Sequence, residues 1–386
     1  MRIVYSIVVI LILIGCKAKQ PISKGNTSIA KDSIVLKKTT PVKRLVSLET
    51  KVGQMILVGI NDRKVLLSKD TLRRDIASGK VGGIILFEKN ISPSNSQENL
   101  KALIKELQAV AEIPLFISID EEGGKVHRLK EKYGFTKMPS ASYLGGQAST
   151  DSTLFHTKNL AKLLSELGID VNFAPCVDIA LNPENPVIVK TGRSYSSDAQ
   201  TVSKHAIANI KAHHQSAIKT VLKHFPGHGS SMTDSHYGIT DVTKQWNVVE
   251  LIPYKEIIKS GHCDAIMTAH IVNCRLDTSC LPATLSKVII TDLLRKELNF
   301  KGVIFSDDMQ MHAISKNYGL EKAIKMSILA GVDVVVFGNN VNATDRITPA
   351  EIHALLMKLI KSGEISESRI DESYNRIMEL KNKKFN

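Results

Sequence analysis

Eight short runs of apolar, largely β-branched residues recur along the chain, at 55–60, 84–87, 115–119, 171–174, 217–222, 265–267, 303–305 and 334–337. Each shows little polar alternation, the pattern of a strand buried on both faces in a parallel sheet covered by helices. Amphipathic stretches lie between them. Leu100, Leu103, Ile104, Leu107, Val110 and Ala111 share one helical face, with Ser94 and Gln97 at capping-box spacing ahead of them. A second stretch carries Leu160, Leu163, Leu164 and Leu167 and stops at Gly168; the same helix, glycine, strand junction recurs at Gly331. Strands alternating with helices in one continuous stretch predict an α/β fold, a (β/α)8 TIM-type barrel in a single domain, with a doubly wound open sheet as the alternative. Residues 348–386 read as two closing helices.

The prediction bears on function because chemistry on such a barrel sits on the loops after the strands. With 386 residues, 43% of them apolar, the chain is neither disordered nor a miniature disulfide scaffold. Its 51 Lys+Arg against 38 Asp+Glu give a net charge of +13, which first suggests a nucleic-acid partner. Residues 1–45 hold nine of those cations and only Asp32, leaving +5 for the rest, so nucleic acid is not expected. The basic start and the apolar run at 3–14 are too short to span a membrane and fit a signal peptide. Gly15-Cys16 at its end resembles a bacterial lipobox, so 1–15 are expected to be a lipoprotein signal, Cys16 the lipidated residue and membrane anchor, 16–45 a disordered tether, and 46–386 the barrel. Of the remaining cysteines, Cys274 and Cys280 could close a small loop; buried free thiols are the default for all four.

The post-strand loops are rich in ionisable groups. After the third strand stand Asp120, two further carboxylates, Gly123, Gly124 and Arg128, a pattern that suits a hydroxyl-rich substrate. Residues 223–236 after the fifth strand contain Lys223, His224, His228, Asp234 and His236. Zinc ligation by His224, His228, Asp234 and His236 is one reading, although the spacing matches no compact zinc motif. The other pairs Asp234 with His236, which orients the imidazole as a general acid. His270 follows the sixth strand; Asp307 and Asp308 follow the seventh, and alternation along a strand allows at most one of the two into the barrel mouth. Between the fourth and fifth strands, Asp178 and the segment around Arg193 add a clamp for an anion or a hydroxyl. Several carboxylates, an Asp-His pair and two arginines, without a glycine-rich phosphate loop, point to hydrolysis of a polar neutral substrate, and sugars fit best.

These residues fall into six ordered motifs: Asp-x-Glu-Gly-Gly at 120–124 with Arg128, Gly-Arg-Ser-Tyr at 192–195, Lys-His-Phe-Pro-Gly-His-Gly at 223–229, Asp-Ser-His at 234–236, Met-Thr-Ala-His at 267–270, and Phe-Ser-Asp-Asp at 305–308. Together they resemble glycoside hydrolase family three, and most closely its β-N-acetylglucosaminidases of the NagZ type, over residues 45–380. The resemblance implies Asp307 as the nucleophile, Asp308 as a neighbour facing the barrel wall, His236 as general acid/base and Asp234 as the group that orients it. It places Asp120, Arg128, Arg193, Lys223 and His224 on the sugar, with His270 counted among the substrate-binding residues. Many relatives carry a second domain that donates catalytic groups; here the acid/base is expected from the barrel itself. The implied enzyme is a retaining exo-β-N-acetylglucosaminidase acting on peptidoglycan-type glycans, without metal or organic cofactor; the lipobox adds membrane anchoring, and the oligomeric state is left open, with a monomer as the expectation. Another family-three β-glycosidase, or a surface lipoprotein that binds glycans without cleaving them, are the alternatives.

Overall fold

The computed structural model describes residues 46–385; the expected signal, the expected tether and Cys16 lie outside the described residues. Eight parallel strands form a closed barrel in sequential order: β1 (Ile56–Gly59), β2 (Gly83–Leu86), β3 (Phe116–Ile119), β4 (Val171–Asn172), β5 (Lys219–Phe225), β6 (Ala265–Thr268), β7 (Val303–Asp308) and β8 (Val334–Phe337), with β8 pairing back to β1. All eight predicted runs contribute a strand. Every residue of β1, β2, β3, β4, β5, β6 and β8 is buried, which is why these runs lack polar alternation.

The barrel is a packed core, not a pore. Phe305 of β7 lies 6.1 Å from Phe116 of β3 and 5.6 Å from Phe173, ring centre to ring centre. Gly83 is where the barrel allows no side chain, because a Cβ there would lie 2.9 Å from Leu57 Cδ1 and 3.1 Å from Phe116 Cβ. An aspartate just before each of β4, β6 and β8 accepts a backbone N–H from the preceding strand: Asp170 from Ile117 at 2.7 Å, Asp264 from Thr220 at 2.9 Å and Asp333 from Ile304 at 3.0 Å. These three carboxylates set neighbouring strands in register at the closed end of the barrel, opposite the mouth.

Helices cover the outside through the faces read from the sequence. In the helix Ser96–Val110, Leu100, Leu103, Ile104 and Leu107 are buried, and truncating one such residue to alanine costs about 2–5 kcal/mol. That helix begins at Asn95 and has no side-chain cap, so the expected Ser94–Gln97 capping box is not formed; Ser96 Oγ instead donates to Ser92 O at 2.7 Å. Gly168 and Gly331 end their helices with φ of 86° and 119°, as anticipated. The chain closes with Pro349–Lys361, started by a Thr348–Glu351 capping box, and Glu367–Asn382. From the last helix Lys381 Nζ donates to Gln54 Oε1, Gly82 O and Pro114 O at 2.6, 2.9 and 2.6 Å, which seals the floor. Cys274 and Cys280 form a disulfide, where free thiols were the default expectation, whereas Cys176 and Cys263 are free.

Candidate active site

The strand ends open into a cavity of ≈ 330 Å³ lined by Asp120, Arg128, Arg193, Lys223, His224, His236 and Asp307, among others. Lys223 and His224 lie on β5 itself, which runs to Phe225, three residues beyond the end predicted for that strand. Successive side chains on a regular strand face opposite ways, yet both of these line the cavity. The pairing of β5 with β6 shifts register between Leu222 and Phe225, which breaks the alternation. The same happens on β7, whose pairing with β8 shifts between Phe305 and Asp308. Asp307 and Asp308 both border the cavity, and the Asp308 carboxyl is bound to the backbone N–H groups of Gln310 and Gly338 in the wall.

One wall is an ion network. Glu122 takes Arg193 in a two-pronged pair, Nε to Oε2 at 2.9 Å and an Nη to Oε1 at 2.8 Å, and Lys223 Nζ sits 2.7 Å from the same Oε1. Lys223 also donates to Asp120 Oδ1 at 2.7 Å, and Arg128 reaches Asp120 Oδ2 at 3.3 Å. Burial alone would raise the Glu122 carboxyl, but Arg193 and Lys223 outweigh it and hold the group at about 2. Burial likewise opposes ionisation of Asp120 and Lys223, and their mutual attraction reverses the direction in both, lowering the acid and raising the amine. Glu121 shapes the loop beneath by accepting the backbone N–H groups of Arg128 at 2.8 Å and Leu129 at 3.0 Å, and it pairs with His127. Gly123, at φ 95°, is obligatory because a Cβ would meet Pro139 O at 2.3 Å. The result is a fixed set of cationic donors beside a carboxylate acceptor. Vicinal hydroxyls, each both donor and acceptor, are the groups such a set recognises.

His224 is held from behind. Its Nδ1 lies 2.7 Å from Asp178 Oδ2 and its Nε2 is 3.3 Å from an Arg193 guanidinium nitrogen. Arginine only donates, so Nε2 accepts and the ring proton sits on Nδ1, facing Asp178. Asp178 also accepts the His228 backbone N–H at 2.8 Å, and these contacts hold its carboxyl well below the usual range despite burial.

Asp307 stands on the floor. Burial would raise its carboxyl, yet the imidazoles of His270, His224 and His236 outweigh that and lower it. Its one described hydrogen bond is to the backbone N–H of Asp308, at 2.8 Å, which leaves oxygen lone pairs facing the cavity. Asp308 is pinned by the N–H groups of Gln310 at 3.0 Å and Gly338 at 3.1 Å, and burial pushes its carboxyl up to about 6. His270 does not line the cavity as a sugar contact. Its ring is fully buried, with Nε2 donating to Asp308 O at 2.9 Å and Nδ1 2.8 Å from Thr284 Oγ1, so it supports the β7 end from below.

His236 enters from the loop after β5, with 58% of its side chain exposed. Asp234 Oδ1 accepts both from ring Nδ1, at 2.6 Å, and from the His236 backbone N–H, at 2.9 Å. Nε2 is left for proton exchange in the cavity. The four side chains considered for zinc do not share a centre: His228 contacts Ser231 Oγ at 2.6 Å, His236 holds Asp234, and His224 holds Asp178. Among the described residues the one cluster of potential metal-ligating atoms is Cys176, Asp178 and His224, and there the Asp178 carboxylate is already taken by His224 and by backbone.

Residues 47–380 match the glycosyl hydrolase family 3 N-terminal domain. The chain belongs to glycosyl hydrolase family 3. It is 34% identical to beta-hexosaminidase A of Pseudoalteromonas piscicida across 78% of the chain and 53% of that relative, so it spans about half of that protein's length. With the beta-hexosaminidase of Tolumonas auensis it shares 36% identity across 67% of the chain and 76% of the relative. A family 3 β-N-acetylglucosaminidase structure from Paenibacillus superposes with a TM-score of 0.79 at 35% identity, covering 87% of this chain and 62% of that one.

Within this family 3 barrel the structure brings together Asp120, Arg128, Arg193, Lys223, His224, His236 and Asp307 in one cavity, with Asp234 behind His236. Sequence reasoning missed Glu122 as the partner of Arg193 and Lys223, and Asp178 as the support of His224. A second acidic residue beside Asp120 was the available signal for Glu122. Its partners lie far along the chain, so nothing local identified them.

Proposed function

We propose that the chain is a retaining exo-β-N-acetylglucosaminidase that removes terminal β-linked N-acetylglucosamine from peptidoglycan-type glycans. The observation that carries this reading is the pairing, in one cavity, of a carboxylate, Asp307, whose one described hydrogen bond comes from the Asp308 backbone N–H, with an exposed imidazole, His236, fixed by Asp234. The beta-hexosaminidase and β-N-acetylglucosaminidase relatives support the choice of sugar.

In this reading the network around Glu122 and Asp120 binds the hydroxyls of the terminal sugar. An Asp307 oxygen attacks the anomeric carbon while His236 Nε2–H protonates the departing glycosidic oxygen, giving a covalent glycosyl-aspartate. His236 then takes a proton from water as that water attacks the same carbon, which frees the sugar with its configuration retained and restores Asp307. Asp234 keeps the imidazole in the tautomer and orientation for both steps. Turnover of aryl β-N-acetylglucosaminide well above aryl β-glucoside, with no dependence on phosphate, is the expected result. Preference for the glucoside, a requirement for phosphate, or binding without turnover would overturn the reading.

The protein is further proposed to be exported and anchored through a lipid on Cys16. The Cys274–Cys280 disulfide supports an oxidising compartment. Cys16→Ser should move the enzyme from the membrane to the soluble fraction; a variant that stays on the membrane would sink the assignment.

A further inference from the structure

Three large apolar side chains are exposed within eight residues of the loop that carries His236: Met232 at 55%, Tyr237 at 80% and Ile239 at 51%. Leaving such groups in water is unfavourable, so three of them on the short loop that carries one reacting group call for an occupant. The loop is a defined structure. Thr233 and Thr240 join through their hydroxyls at 3.1 Å and close its neck, and the Tyr237 N–H donates to Asp234 O at 3.1 Å, which turns the chain at its tip. The His312 N–H contacts His236 O at 3.4 Å and ties that tip to the segment after β7.

We propose that Tyr237 is a specificity-determining residue whose ring receives the saccharide on the leaving-group side of the scissile bond. The inference rests on the glycosidase reading above and names the next part of the substrate. Covalent connectivity identifies the occupant. His236 Nδ1 is engaged by Asp234, so Nε2 is the atom that meets the glycosidic oxygen, and whatever is bonded to that oxygen must leave past the loop surface flanking His236. The cavity beneath brings Asp120, Arg128, Arg193 and Lys223 to one hydroxyl-rich ring, whereas the loop that carries His236 exposes the side chains of Met232, Tyr237 and Ile239. A pyranose has a face of C–H groups and a rim of hydroxyls. It can lay that face on an aromatic ring and keep its rim in water, and the amphipathic ring of tyrosine suits such a boundary.

The test compares wild type, Tyr237→Phe and Tyr237→Ala on chitotriose, whose leaving group is a disaccharide, and on N-acetylglucosaminyl β-fluoride, whose leaving group is one atom. The ratio of kcat/KM for chitotriose to that for the fluoride should fall about tenfold in Tyr237→Ala and be retained in Tyr237→Phe, the size expected for one aromatic contact. An unchanged ratio in Tyr237→Ala, whether both rates hold or both fall together, would overturn the proposal. Failure of the wild type to turn over either substrate would overturn instead the glycosidase reading beneath it.

Discussion

Asp234 Oδ1 accepts twice from His236, once from the ring Nδ1 at 2.6 Å and once from the backbone N–H at 2.9 Å. The carboxylate thereby fixes both the tautomer of the imidazole and the position of the residue that bears it. His236→Ala should slow a substrate with a poor leaving group by ~10²–10⁴-fold and an activated aryl glycoside far less, because only the former needs a proton in the transition state. Asp234→Ala should follow the same pattern with a smaller loss. Steady-state kinetics across a series of leaving groups checks this, and equal slowing across the series would count against the acid role.

Glu122 is buried between two cations, so its removal leaves Arg193 and Lys223 underpaired in a low-dielectric wall. Glu122→Ala is expected to destabilise the fold by about 3–5 kcal/mol, and Glu122→Ala combined with Arg193→Ala by less than the sum of the two. Denaturant unfolding of the cycle decides; strict additivity would mean that the pair is not coupled.

Two buried carboxyls set an opposite pH trend. Burial pushes Glu250, which accepts from Ser230 Oγ at 2.6 Å and the Gly229 N–H at 2.9 Å, up to about 7, and pushes Asp308 up to about 6. A carboxyl raised in the folded state holds its proton more tightly there than in the unfolded chain. Its contribution to stability is complete below the ordinary carboxylate range and is lost as pH rises through the folded value. Glu122, held at about 2, works the other way: its contribution is present above the ordinary range and is lost as pH falls toward 2. Glu250→Gln should therefore flatten the decline in Tm on the way up to pH 7, and Asp308→Asn the part below pH 6, each by about 2–4 °C per kcal/mol removed. Thermal melts from pH 4 to 8 in which both variants track the wild type would refute this assignment.

What the sequence makes legible here is what local pattern encodes. The eight apolar runs are the eight strands, and Gly168 and Gly331 end helices as read, because burial on two faces and a positive φ leave marks on neighbouring residues. Lys223 and His224 read as loop because they are polar, although β5 continues through them and a register shift aims both at the cavity. Glu122 was invisible as a site residue because Arg193 is 71 positions away, and no periodicity records such a pair. His270 shows the converse: its place in a motif after β6 suggested substrate contact, while its hydrogen bonds to Thr284 and Asp308 O make it a buried support.

The central claim is that Asp307 is the nucleophile of a retaining glycosidase. Trapping the enzyme with a fluorinated N-acetylglucosamine analogue that forms the glycosyl-enzyme quickly and releases it slowly, followed by peptide mass spectrometry, tests it most directly. The account predicts a single adduct on Asp307, absent from Asp307→Asn. An adduct on any other residue, or turnover of the analogue with inversion and no adduct at all, would contradict it.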